Sequence, residues 1–206
     1  MIPATDPECI DLAARLLAQG ELVCYPTDTV YGIGAVATNG EAVRRLFAVK
    51  GRRPDNPMPI LIADEAAAGR LAEVTPLARS LMSRFWPGAL TIVMRKAQVF
   101  RSPALAGKDT IGLRVPDHDL LRAIIRTVGE PITGTSANRS GARAPISAPE
   151  VAFQMGEMVS LVIDGGPSRQ GRESTVVDIT VTPAKILREG VVSREELAGV
   201  LGSAVS

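Results

Sequence analysis

The sequence predicts an α/β (α+β) protein: a twisted mixed sheet of about seven strands flanked by helices. Three observations carry that expectation. Helical and extended patterns alternate along most of the 206 residues. Apolar residues make up 46% of the chain and aromatics only 3%, which implies an aliphatic core. Glycine- and hydroxyl-rich segments fall where strands end, the edge at which open α/β sheets bind ligands. The length fits one domain, residues 1–206, burying roughly 70% of its unfolded surface.

The elements follow in order. "TDPECIDLAARLLAQG" starts a helix with Asp6 as N-cap and Pro7 at the first helical position; Ile10, Ala13, Leu16 and Leu17 line one face, and Gly20 stops it. Leu22–Tyr25 is an apolar strand. "GEAVRRLFAVK" is a helix with Val43, Leu46 and Phe47 inward, and "MPILIA" a buried strand. "TPLARSLMSRF" is a helix capped by Thr75, with Pro76 next. "ALTIVMRK" and "TIGLRVP" are strands, and "DLLRAIIRTVG" is a helix ended by Gly129. "PITGTS", "SLVID", "STVVDIT" and "AKILRE" are further strands, and "SREE" opens a last helix as a capping box.

Composition excludes several function classes. With 23 basic and 22 acidic residues the net charge is +1, so no global field draws the chain to nucleic acid or membrane, and an anion site must be local. Cys9 and Cys24 are 15 apart without a CxxC, and His118 is the one histidine, which argues against disulfides and zinc and for a reducing cytoplasm. There is no basic n-region at the start and no apolar run near 18 residues, so neither a signal peptide nor a membrane span is expected.

"YPTDTVYGIG", Tyr25 to Gly34, turns from an apolar strand to hydroxyls, a carboxylate and two glycines. "GIGAVA" matches the dinucleotide pattern GxGxxA, but "ATNG" follows and breaks the helix that pattern needs; no GxxxxGK[ST] exists. Asp28 is open to three roles: metal partner, ammonium partner or turn acceptor. In "KGRRPDNP", Lys50 ends a helix, Gly51 opens a turn, and Lys50, Arg52 and Arg53 leave a loop stiffened by Pro54 and Pro57. Planar bidentate arginines beside a compact lysine suit a polyphosphate; the plainer reading is a basic helix end answering its dipole. "PITGTSANRSGARAP" sets Thr133, Thr135, Ser136, Asn138 and Ser140 in one loop. "GGPSRQGRESTVVD" leads a glycine-rich loop into Ser174 and Thr175, and "ILREG" ends a strand at Arg188. Any one such loop reads best as a turn satisfying its own backbone; several at strand ends read best as one shared polar cleft. Arg114, within an apolar strand, either bridges an internal carboxylate or binds an anionic ligand.

Acid–base and nucleophilic groups are few. His118 reads as a surface turn residue at a helix start, Cys24 as core, and no nucleophile elbow appears. A site of cations and neutral hydrogen-bonders works by positioning and charge neutralisation, which suits phosphoryl or nucleotidyl transfer.

The motifs "YPTDTVYGIG", "KGRRPDNPMPILI", "WPGALTIVM", "IGLRVPDH", "PITGTSANRSG", "STVVDIT" and "ILREG" occur in the order of the YrdC/TsaC family, the threonylcarbamoyl-AMP synthases, which the chain resembles from about residue 10 to 191. The resemblance implies a basic concave cavity and a reaction in which L-threonine, bicarbonate (or CO2) and ATP give L-threonylcarbamoyladenylate and pyrophosphate. A tRNA threonylcarbamoyl transferase complex would then receive the product, with tRNA met only indirectly. By matching position, Lys50 and Arg52 would hold the ATP phosphates, with Asn56, Thr110, Ser136, Asn138 and Arg188 completing the nucleotide site. Thr29, Arg114 and Ser174 would bind threonine, with Arg114 facing its carboxylate. Mg2+ would ride on the nucleotide, with no protein metal ligands. Two departures stand out: Arg53 follows the KxR where proline is frequent, and Glu189 sits where "RPG" is frequent. The C-terminal domain of longer relatives is expected to be missing. Two rival readings are an RNA-binding module, poorly served by one Trp, two Tyr and four Phe, and carbamoyl-adenylate handling as in hydrogenase maturation.

Overall fold

A computed structural model describes residues 1–202. In chain order the strands are β1 (Ile2–Pro3), β2 (Val23–Tyr25), β3 (Gly32–Gly34), β4 (Ile60–Leu61), β5 (Leu90–Arg95), β6 (Thr110–Arg114), β7 (Ile132–Thr133), β8 (Thr135–Ser136), β9 (Leu161–Asp164), β10 (Thr175–Asp178) and β11 (Lys185–Arg188). The helices are α1 (Cys9–Ala18), α2 (Gly40–Lys50), α3 (Ala68–Leu71), α4 (Pro76–Phe85), α5 (Asp119–Val128), α6 (Ala148–Met155) and α7 (Arg194–Leu201). The mixed α/β class is borne out, with the strands shared between two sheets ordered β1-β9-β2-β3-β8 and β11-β10-β5-β6-β4-β7. In the first, β1 and β2 run parallel to β9, and β3 and β8 are antiparallel. In the second, β10 is parallel to β5 and β4 to β6, while the remaining pairs are antiparallel.

One stretch, 132–136, serves both sheets. Its first half pairs with β4 and its second with β3. Gly134 makes the switch: its N–H donates to Pro59 O at 2.7 Å, and a Cβ there would stand 2.5 Å from Leu61 Cγ. A Val36–Ile132 bridge and the bond from Thr133 N to Ala35 O, 2.8 Å, tie the sheets at this seam.

Strand alternation divides the core. Cys24, Ile33 and Ile60 face one buried cluster, with Leu46 of α2 and Leu81 of α4. Val23, Tyr25, Leu61 and Ile132 face another, with Leu17 of α1 and Ile124 of α5. The glycines of "YGIG" answer to Tyr25. Its ring lies across β3 so closely that a Cβ on Gly32 would meet its Cε2 at 2.5 Å, and its hydroxyl donates to Thr133 O at 2.8 Å.

Helix ends follow their caps. Asn39, Thr75 and Ser193 accept from the first turns of α2, α4 and α7, and Gly51 and Gly129 close α2 and α5 in the left-handed region. The first helix departs from expectation. It begins at Cys9, and Asp6 accepts from Glu8 N at 2.9 Å, ordering the preceding turn instead. Sequence reasoning did not find α6, which buries only Ala148, Val151 and Met155 and leaves Phe153 91% exposed. No helix among the described residues is long and apolar enough to cross a membrane.

Candidate active site

The loop between β2 and β3 closes on itself before offering anything outward. Thr27 Oγ1 donates to Val30 O at 2.6 Å, accepts from Thr29 N at 3.0 Å and meets Thr29 Oγ1 at 2.9 Å. Asp28, 3% exposed, accepts from Arg114 Nη2 at 2.6 Å. Arg114 closes β6, and its Nε and Nη1 donate to Gly88 O at 2.8 Å and Thr29 Oγ1 at 3.1 Å. The guanidinium is therefore bridged to an internal carboxylate, while two of its five N–H groups stay outside this set. Burial pulls its pKa down against the opposing pull of Asp28. Gln170 N and Gly171 N donate to the carbonyls of Asp28 and Thr29 at 3.0 and 2.9 Å, laying the 165–173 loop over this end.

Lys50, at the end of α2, is only 2% exposed. Its ammonium donates to Ser136 O and, at 2.7 Å, to Asn138 O, while Ser140 N donates to Lys50 O at 2.8 Å. The loop after β8 is thus wrapped around the lysine, and one of the three ammonium protons remains for the cleft. Burial, then the charge of Arg52, pushes Lys50 down to about 8. Asn138 spends its amide nitrogen on Arg139 O and Ala142 O at 2.8 and 2.7 Å, and its buried Oδ1 has no partner among the described residues.

Arg52 is aimed by its own loop: Nε donates to Asn56 O, and Nη2 to Asn56 Oδ1 and Pro57 O, at 2.9, 2.9 and 2.6 Å. Burial lowers its pKa, helped by Arg188. Arg188, ending β11, donates from Nε to Ser174 O at 3.1 Å and from Nη2 to Ser174 Oγ at 3.2 Å; its Nη1 pairs with Glu173 at 3.0 Å. Ser174 Oγ also meets Thr91 Oγ1 at 3.1 Å.

Three adjoining cavities, of about 100, 360 and 670 Å³, share Arg52 and Arg188 as common walls. Thr29, Arg114 and Ser174 line the first, Thr110 and Asn56 the second, and Lys50, Ser136 and Asn138 the third. All ten residues singled out by position thus border this group of cavities, which meet at Arg52 and Arg188. Sequence reasoning missed Glu173, whose signal was its place directly before Ser174, and Thr91, a buried polar residue in an apolar strand. It left Asp28 open among three roles; its carboxylate is engaged by Arg114. His118 is half-buried at the start of α5, more enclosed than a surface turn residue, and its Nδ1 has no partner among the described residues. Among the described residues no three His, Cys, Asp or Glu side chains gather at metal-binding spacing.

Comparison with known proteins shows the family. The chain is 41% identical over 203 residues to a threonylcarbamoyl-AMP synthase of Bacillus subtilis, covering 98% of this chain and 58% of that protein. It overlays Pyrococcus abyssi Sua5 complexed with L-threonine with a TM-score of 0.94 at 40% identity, over the whole of this chain and 61% of that one. Escherichia coli YciO matches with a TM-score of 0.85 at 26% identity, over 95% of this chain and 97% of the other. The chain therefore spans somewhat over half of the first two relatives. The family model Sua5_yciO_yrdC, described as "Telomere recombination", matches residues 15–190, a span that carries every residue of the cleft, and the chain belongs to the Sua5/YciO/YrdC family.

Proposed function

We propose that the chain makes L-threonylcarbamoyladenylate from L-threonine, bicarbonate or CO2, and ATP, releasing pyrophosphate. One observation carries the reading. A pocket ending in Arg114 and hydroxyls adjoins a pocket lined by Lys50, and Arg52 and Arg188 belong to both. The first has the chemistry for a small hydroxylated carboxylate, the second for a polyphosphate. The relatives named threonylcarbamoyl-AMP synthase, and the related protein complexed with L-threonine, support it.

The neutral amine of threonine takes up CO2 and loses a proton to become a carbamate; from bicarbonate, the same step releases water. A carbamate oxygen then attacks the α-phosphate, the bond to the β-phosphate oxygen breaks, and pyrophosphate leaves. The substrate supplies the nucleophile, so the protein needs no activated serine or cysteine. Arg114 and Thr29 hold the threonine carboxylate and Ser174 its neighbouring polar group. Lys50, Arg52 and Arg188 neutralise charge on the phosphates, with Asn56, Thr110, Ser136 and Asn138 fixing the rest of the nucleotide. Mg2+ enters as part of the nucleotide substrate, on its phosphates. The product, a mixed anhydride, passes to a tRNA threonylcarbamoyl transferase complex in the cytoplasm, for transfer to the adenosine beside the anticodon.

The test is pyrophosphate release from ATP by the purified chain, with threonine and bicarbonate each omitted in turn. Release that requires both is expected. Release that needs neither, or none under any condition, would overturn the proposal.

A further inference from the structure

The threonine-side cavity is lined by three cations, Arg52, Arg114 and Arg188, and by one carboxylate, Glu173. Asp28 is close by in sequence to Thr29 but is committed to Arg114 and does not line the cavity. Glu173 is held from both sides. Its carbonyl accepts from Val191 N at 3.0 Å, and Gly190 packs so closely that a Cβ there would stand 2.1 Å from that oxygen. Its side chain gives Oε2 to Arg188 Nη1 at 3.0 Å, and Oε1 carries no hydrogen bond among the described residues.

An amino acid enters such a cavity as a zwitterion. Its carboxylate has arginines to meet; its ammonium, leaving water, needs an acceptor, and three cations alone would repel it. Among the described residues Glu173 is the one side chain lining the cavity that offers an anionic acceptor, with an oxygen unspent. Glu173 borders the phosphate-side cavity as well; a carboxylate repels phosphates, so the favourable partner for its free oxygen is the positive end of a substrate in the first cavity. We propose that Glu173 anchors the ammonium group of the amino-acid substrate while Arg114 takes its carboxylate. The assignment rests on the proposed function and adds to it a contact that sets selectivity for α-amino acids over other hydroxylated carboxylates.

Calorimetric titration with two ligands isolates this contact. L-Threonine carries the ammonium; (R)-3-hydroxybutanoate keeps the carboxylate, hydroxyl and methyl and lacks it. Wild type is expected to prefer threonine, and Glu173→Gln to lose on the order of tenfold in threonine affinity while holding (R)-3-hydroxybutanoate as well as before. Glu173→Asp, which keeps the charge, should retain the preference and guards against a Gln variant that folds poorly. Unchanged threonine affinity in Glu173→Gln, an equal loss for both ligands, or a loss confined to MgATP would each overturn the assignment. Wild type that binds neither ligand would instead sink the amino-acid reading itself, and the assignment with it.

Discussion

Asp28→Asn keeps the shape of a side chain that is 4% exposed and removes the charge facing a guanidinium that is 8% exposed. Arg114 would then sit buried with no counter-charge. Losing one partner of such a pair costs ~3–5 kcal/mol, because the remaining charge stays desolvated. For a chain of this size each kcal/mol moves the melting point by ~2–4 °C, so a fall of roughly 6–20 °C is expected. Arg114 retains Gly88 O and Thr29 Oγ1 as acceptors, at 2.8 and 3.1 Å, which favours the lower half of that range. The double variant Asp28→Asn/Arg114→Met removes the stranded charge and should recover much of the loss, giving a clear coupling in a double-mutant cycle. Thermal and urea unfolding at pH 7 read both numbers. A single variant melting within ~2 °C of wild type, or a double variant as unstable as the sum of the singles, would refute the argument that the pair is held by mutual neutralisation.

Lys50→Ala should lower nucleotide-dependent pyrophosphate release roughly 10- to 150-fold, for charge-assisted contacts of ~1.5–3 kcal/mol. It should also reduce the melting point, because Ser136 O and Asn138 O lose their donor; a variant with full activity would remove Lys50 from the site. The lysine also sets a pH dependence. With the folded group at about 8 against an ordinary 10.5, the unfolded chain binds more protons between those values. The Lys50 contribution to stability must therefore rise with pH across that window, and below it the charged form stays buried at a cost. The stability of wild type minus that of Lys50→Met, from urea unfolding at pH 7.5 to 10.5 in steps, should climb; a flat difference would contradict the burial argument. Gly34→Ala would bring a Cβ to 2.7 Å from both Thr133 O and the Tyr25 hydroxyl. A loss of ~1–3 kcal/mol is expected from overpacking against backbone, and Tyr25→Phe should relieve part of it; a neutral Gly34→Ala would mean the seam between the sheets yields easily.

The fold was legible wherever one element satisfied itself. The caps at Thr75 and Ser193, the stop at Gly129 and the inward face of α2 all follow from neighbours within four residues. What escaped depends on distant partners. The segment 32–34 reads as a polar break, yet forms a strand because Tyr25 and the 132–136 stretch receive it on either side. Two sheets stand in place of one sheet, and the stretch that joins them turns at a single glycine, Gly134, held by Leu61 and Pro59, far away in sequence. Asp6 carries a fair N-cap signal, and the helix still starts later, since the side chain serves the turn before it.

The site divides along the same line. Residue types and strand-end positions were enough to name its cations and hydroxyls, but not to pair them, because Asp28 and Arg114 are 86 residues apart and Lys50 and Ser136 the same. The pairing has a consequence that a list of residues does not contain. Lys50, Arg52, Arg114 and Arg188 are each oriented by main-chain carbonyls, those of Ser136 and Asn138, Asn56 and Pro57, Gly88, and Ser174. A carbonyl fixes a cation's direction without cancelling its charge. Among the described residues only Arg114 and Arg188 of these four have carboxylate partners, and only the former pair is buried. The Lys50–Arg52 end of the cleft therefore keeps its positive potential while its donors are already aimed; on the proposed function, an incoming polyphosphate would meet a preorganised cation set and leave little reorganisation for the reaction step.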